Sequence, residues 1–180
     1  MRAPGAAARS RGRPPRRDRG VKFHVIAVGH RPPAWVAAGF EDYARRMPRE
    51  AGVVLTEIKA APRHPGNQSI ADTRRILAAE KTRILAAMPA GCVKIALDEK
   101  GGQWTTRELS RRIAAWQQEG RDIAFLIGGA DGLDESLKTD ADVLLSLSSM
   151  TLPHAMVRVL LVEQLYRALS LNQNHPYHRE

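Results

Sequence analysis

Six consecutive residues, Asp122-Ile-Ala-Phe-Leu-Ile127, form an almost fully apolar strand pattern that is closed by Gly128-Gly129. A strand with one face in water alternates apolar and polar side chains, whereas one that is apolar throughout has to be covered on both faces. This segment therefore belongs at the centre of a sheet with helices above and below. The flanking sequence supplies both. Lys22–Val28 reads as a first strand, with Phe23, Val25 and Ala27 alternating, and is broken by Gly29-His30-Arg31-Pro32-Pro33. Ala34–Met47 then repeats apolar residues at helical spacing (Trp35, Val36, Ala38, Phe40, Tyr43). Val53–Lys59 is a second strand, 64–69 a polar loop, and Ile70–Met88 a long helix with Ile76, Leu77, Ile84 and Leu85 on one face and Pro89 and Gly91 at its end.

Cys92–Leu97 is the third strand, followed by a turn at Gly101-Gly102. A helix through Trp116 is capped by Thr105 or Thr106, with Glu108 in its first turn. After the apolar strand come a short helix over about Asp134–Ala141, a fifth strand at Val143–Leu147 and, behind Pro153, a Val- and Leu-rich helix over His154–Leu171. Five strands alternating with helices predict an α/β fold with a mostly parallel sheet covered on both faces. Sheets of that kind bind ligands outside the carboxyl ends of their strands, which directs the search to 97–102, 128–133 and 147–154.

Composition narrows the class. With 43% hydrophobic residues the chain is too apolar for a disordered polycation, and no apolar run approaches the roughly 18–20 residues of a membrane span, so no membrane partner is expected. Of the formal +9, six units sit in residues 1–20, where seven arginines (Arg2, Arg9, Arg11, Arg13, Arg16, Arg17, Arg19) face one acid, Asp18. That segment of Arg, Ala, Pro, Gly and Ser has little to bury and is expected to be a disordered basic tail. Two readings of it stand. It is a phosphate-binding arm, or it is the product of a mis-called start, since Val21 is what an alternative GUG start codon gives when translated internally. The single cysteine, Cys92, lies in a strand pattern and is expected to be a buried structural thiol. One cysteine cannot form an intramolecular disulfide, and with no apolar leader segment the expected localisation is cytoplasmic.

Common nucleotide signatures are missing. There is no G-x-G-x-x-G after the first strand, no G-x-x-x-x-G-K-[ST] and no G-x-S-x-G elbow. His175 and His178 have only Glu180 nearby, so no metal is expected. Three features remain. Ile127-Gly-Gly-Ala-Asp-Gly132 would let backbone approach a ligand, though an ordinary strand-to-helix turn reads the same way. Ser146-Leu-Ser-Ser-Met-Thr-Leu-Pro-His154 is either a ligand-reading loop or an edge strand plus helix cap. Asn174-His-Pro-Tyr-His-Arg-Glu180 is a polar, aromatic terminus whose residue types suit stacking on a base and holding phosphate.

Together with Ile26-Ala-Val-Gly29, Phe125-Leu-Ile-Gly-Gly129, Val157-Arg-Val-Leu160 and Glu163-Gln-Leu-Tyr-Arg-Ala168, these segments make 21–180 resemble the ribosomal RNA large-subunit methyltransferase H family of the SPOUT methyltransferases. The resemblance implies a single SPOUT-type domain with a C-terminal trefoil knot, which the general rarity of knots would not suggest, and a homodimer packed through the knot and the last helix. It implies S-adenosylmethionine as methyl donor, held by Leu97, Gly128, Leu147, Ser148, Ser149, Met150, Thr151 and Leu152. The implied reaction is methylation of N3 of pseudouridine 1915 in helix 69 of the 23S rRNA of assembled ribosomes. The acceptor proton must leave and charge develops on the flanking carbonyls, so a base or a cation near those oxygens would help. The candidates are His154, Tyr177, His178 and Arg179. Arg158 and Arg167 are expected as phosphate contacts or interface ion pairs. The alternative is a ribosome- or RNA-binding protein of the same fold without catalysis.

Overall fold

The computed structural model describes residues 20–29, 31–63, 66 and 69–178. The basic tail, His30 and most of the 64–69 loop fall outside the described residues. Five parallel strands form one sheet in the order β2-β1-β4-β3-β5: β1 (Phe23–Val28), β2 (Val53–Ile58), β3 (Val93–Gln103), β4 (Ile123–Ile127) and β5 (Val143–Ser146). The fully apolar strand is central, as its composition requires, and every residue of β4 is buried. β1 differs from the alternating pattern expected for it. Ile26 and Val28 are as buried as Phe23, Val25 and Ala27, because both faces of this strand are covered too.

The helices are α1 (Ala34–Arg46), α2 (Ile70–Ala87), α3 (Thr106–Glu119), α4 (Glu135–Thr139) and α5 (His154–Asn172). α5 packs between α1 and α3 on one face of the sheet. Phe40, Leu109, Ile113, Trp116, Leu161 and Leu165 there close over Val25, Ile95 and Phe125. The other face is covered by Ile84 from α2 and Leu137 from α4, packed on Ile26, Ala96, Ala124 and Leu126. Cys92 is buried in this second layer, and burial pushes its thiol up from the ordinary value. Of the two candidate caps, Thr105 starts α3: its Oγ1 accepts from Glu108 N–H at 3.2 Å and Glu108 Oε2 accepts from Thr105 N–H at 2.7 Å. Ser69 and Asp72 form the same reciprocal box at α2.

The Gly101-Gly102 turn is not formed as a turn. β3 runs on to Gln103, leaving its register with β5 after Leu97 and re-entering it at Gly102, opposite Leu145. The residues between bulge outward, and a side chain at Gly101 would place its Cβ 2.5 Å from the carbonyl carbon of Leu145. Glycine is required there for two backbones to touch. The bulge sets Asp98, Glu99 and Lys100 at the carboxyl ends of the sheet. Among the described residues no helix is long and apolar enough to cross a membrane.

Candidate active site

Three chain segments meet outside the carboxyl ends of β3, β4 and β5 and enclose a cavity of about 440 Å³. Leu97 and Asp98 come from β3, Gly128–Gly132 from the loop after β4, and Leu147, Ser148, Met150, Thr151 and Leu152 from the loop after β5. These are the segments that the strand-end argument selects. Ser149, exposed in the same loop, is not among the lining residues. The loop is held open by its own hydroxyls: Ser146 Oγ donates to Ser148 O at 2.7 Å, and Ser148 Oγ accepts from Met150 N–H at 2.9 Å. Ser148, one of the residues expected to hold a ligand, thus shapes the backbone of its own loop.

Gly128 has a different reason from the one its sequence context suggests. A Cβ there would meet the backbone of Gly132 rather than open cavity. The glycine lets the β4–α4 loop fold onto itself, closed by Gly132 N–H donating to Gly129 O at 3.0 Å.

One flank of the cavity carries charge that the sequence reading missed. Lys138 Nζ sits 2.8 Å from Asp98 and 2.8 Å from Glu135, and the Lys138 and Asp98 side chains are only 15% and 12% exposed. Burial alone would raise the Asp98 carboxyl. The hydrogen bonds from Lys138 and from Lys100 N–H outweigh it and hold the group below its ordinary value. Burial likewise opposes the charge on Lys138, but the bonds to Asp98 and Glu135 prevail and raise its pKa. Asp98 directly follows Leu97, so adjacency to a strand end was the available signal; the partner forty residues later had none.

His154, the first residue of α5, also lines the cavity and is exposed. The other candidates do not join it. Tyr177 lies beyond the far end of α5, where Asn174 takes a positive φ of 53° and turns the chain back. Its ring packs edge-on against Tyr166 at 4.7 Å and Tyr43 at 6.5 Å, under the guanidinium of Arg167 at 5.0 Å. Its hydroxyl is 3.2 Å from both Tyr43 Oη and Glu163 Oε1. Burial, the bond to Tyr43 and the charge of Glu163 raise the Tyr177 phenol far above its ordinary value, so it remains protonated and acts as a donor. The backbone of His178 closes a 3-10 turn with Pro176 and Tyr177; its side chain and all of Arg179 lie outside the described residues. The tail folds back so far that the Tyr177 hydroxyl meets Glu163, nine residues along α5 from His154, which leaves about 14 Å of helix axis between the two.

Of the two arginines of α5, Arg158 is placed differently from the surface roles expected of it. Arg158 is 1% exposed and pairs with Glu57 at 2.8 Å, and Arg167 pairs with Glu163 at 2.9 Å on its own helix. Among the described residues no three His, Cys, Asp or Glu side chains converge as metal ligands. The ring of His175 instead lies edge-on to Tyr166, at 6.5 Å.

The family described as "Predicted SPOUT methyltransferase" matches residues 21–178. The chain belongs to this family. The SPOUT chain is 56% identical, over 159 residues, to the Ribosomal RNA large subunit methyltransferase H of Burkholderia ambifaria (strain MC40-6), covering 88% of itself and 99% of that relative. The protein of the same name from Burkholderia vietnamiensis (strain G4 / LMG 22486) is 55% identical with the same coverage. Among solved structures, a probable methylase family protein from Haemophilus influenzae Rd KW20 superposes with a TM-score of 0.49 at 13% identity, covering 90% of this chain and 71% of that one.

The cavity fits the methyl donor that such a family uses. Its volume lies within the range of small-molecule sites. Leu97, Ile127, Leu147, Leu152 and Val157 offer apolar walls to a flat heterocycle, backbone of the two loops offers hydrogen-bonding groups, and Asp98 with Lys138 offers both signs of charge to an amino-acid end.

Proposed function

We propose that this SPOUT chain methylates N3 of pseudouridine 1915 in helix 69 of 23S rRNA, acting in the cytoplasm on assembled ribosomes with S-adenosylmethionine as donor. The observation that carries the proposal is the cavity at the ends of β3, β4 and β5, lined by one imidazole, His154, and by the charged side chains of Asp98 and Lys138. Residues 21–180 act as one methyltransferase domain, and its C-terminal part threads the trefoil knot. Leu97, Gly128 and Leu147–Leu152 hold the donor, whose sulfonium supplies an electrophilic methyl when bound, so no metal is required.

The chain's own contribution is placement and proton handling. The cavity loops fix one reactant, and the acceptor base must be brought in line with it. His154, if neutral, accepts the N3 proton as that nitrogen attacks. Tyr177 is a hydrogen-bond donor for the base or its carbonyls, and His178 and Arg179 supply further donors and positive charge where the acceptor develops negative charge. Tyr177 is seated on Glu163 and Tyr166, outside the cavity lining, and these groups assemble when a second copy brings its tail to the cavity of the first. A closed two-fold dimer does this twice. Leu160 on α5, Trp35 on α1 and Met150 in the cavity loop remain exposed in one chain and suit that interface.

Ribosomes lacking the modification, incubated with the protein and methyl-labelled donor, should acquire label in large-subunit RNA. A reverse-transcriptase stop at that pseudouridine should accompany it, since an N3 methyl blocks base pairing. Unlabelled large-subunit RNA would overturn the proposal.

A further inference from the structure

Arg158 is a buried cation that neither the cavity nor the surface explains. Nη1 donates to Glu57 Oε1 at 2.8 Å, and among the described residues Nε has no hydrogen-bond partner. A buried charge with an incomplete shell is costly to hold, and its ion pair adds little net stability. Its neighbours suggest what it does instead. Arg158 and His154 stand four residues apart on α5 and so share a face of that helix. Both converge on Gly29, just beyond β1. Arg158 Nη2 lies 3.2 Å, and His154 Cδ2 and Nε2 each 3.8 Å, from the point a Gly29 Cβ would occupy.

Gly29 is itself pinned to the neighbouring strand. Its N–H donates to Ile58 O at 3.0 Å, and Glu57 lies in register with Ala27. Its φ of 152° disfavours any side chain. The first turn of α5, by contrast, begins at Pro153 without a side-chain cap. The Arg158–Glu57 bond therefore ties an uncapped helix start to the β1–β2 side of the sheet.

Resting on the methyltransferase reading, we infer that Arg158 and Glu57 are positioning residues for methyl transfer: their ion pair seats the His154 ring against Gly29 at the cavity rim. They act through His154 and touch neither reactant. The charge thus serves the acceptor side of the site, whereas donor binding depends on the loops.

The test uses the full-length protein. Glu57→Gln and Arg158→Met should bind S-adenosylmethionine by calorimetry within about threefold of wild type. They should lower kcat on unmodified ribosomes roughly 100-fold at little-changed KM, the scale of a 1 Å misplacement. Arg158→Lys, which keeps the charge but loses the planar fork, should recover about tenfold of that loss. In a His154→Ala background, Glu57→Gln should cost no further activity beyond about twofold. Additive losses, or donor affinity falling in step with kcat, would overturn the inference.

Should Arg158→Met fail to fold, the Glu57→Gln and His154→Ala cycle decides alone, because Glu57 stands on an edge strand with its side chain 41% exposed. A second readout needs no methylation. In the protein without donor, the His154 ring resonances, assigned by their loss in His154→Ala, should shift in Glu57→Gln; unmoved resonances refute the seating. A wild-type protein that leaves rRNA unlabelled while those resonances shift would refute the proposed reaction and leave the positioning intact.

Discussion

At its N-terminal end α5 brings His154 to a cavity built by three distant segments, whereas at its C-terminal end it carries a tail that folds back on its own helix. The first end depends on the whole fold: Arg158 reaches across to β2, and the loop before Pro153 lies against the ends of β3 and β4. The second is mostly local. Tyr177 rests on Glu163, Tyr166 and Arg167 of α5 and, among the described residues, reaches Tyr43 of α1. A site made at one end should therefore survive loss of the other, and two chains with opposite defects should complement each other.

Removing 174–180 tests this most severely. Donor affinity should stay within about threefold of wild type, while methylation of ribosomes falls by at least about 1000-fold, below ordinary detection, if the tail supplies transition-state contacts. Mixing this chain with a donor-site variant, so that dimers of the two form, should restore activity at the one intact composite site. Silence in the mixture would show that the tail serves the cavity of its own chain.

Gly128→Val should produce the reverse pattern. Its Cβ would collide with the Gly132 backbone, so the β4–α4 loop has to open. An overpacking strain of about 3 kcal/mol corresponds to about 100-fold in donor affinity by calorimetry. The tail's aromatic packing should remain, read as unchanged Tyr177 ring resonances. Unchanged donor affinity would separate Gly128 from the site.

The charged rim should give a smaller effect with a defined pH signature. The folded Asp98 carboxyl is held below its ordinary value of 3.8 by Lys138 and Lys100, against the opposing effect of burial. Such a group contributes stability that is fully present above the unfolded-state pKa and is lost as pH falls through the folded one. Asp98→Asn should thus lower stability by about 1–2 kcal/mol near neutral pH, a few degrees in Tm. The difference from wild type should shrink as pH is taken below 3.8. A gap that persists into strong acid would show that packing, and not the ion pair, is responsible.

What the sequence made legible follows the physics of each signal. The succession of five strands and five α-helices among the described residues could be read because apolar period and turn residues are local, and the central place of β4 followed from its unbroken apolar run. The cavity segments followed from where strands end. Three things were not local. The pairing of Asp98 with Lys138 and of Arg158 with Glu57 joins residues far apart in sequence, so Arg158 read as a surface cation when it is buried. Gly101-Gly102 read as a turn because close backbone approach and turning demand the same residue. The tail's fold onto Tyr43 and Tyr166 had no periodic signature at all.

The mildest change probes the tail without removing it. Tyr177→Phe keeps the ring contacts with Tyr166, Tyr43 and Arg167 and deletes only the hydroxyl near Glu163 and Tyr43. Stability should fall by about 1 kcal/mol or less, since one partly exposed hydrogen bond is lost. Burial, Tyr43 and Glu163 raise this phenol above its ordinary value, which favours the protonated, hydrogen-bond-donating form. Methylation should therefore drop by less than about tenfold, the loss of one donor, where loss of a general base costs about 100-fold or more. The alkaline limb of the rate profile should also keep its position, because no phenol titrates on it. A collapse of activity like that of the tail deletion, or a shifted limb, would move the proton-accepting role from the His154 end of α5 to the tail.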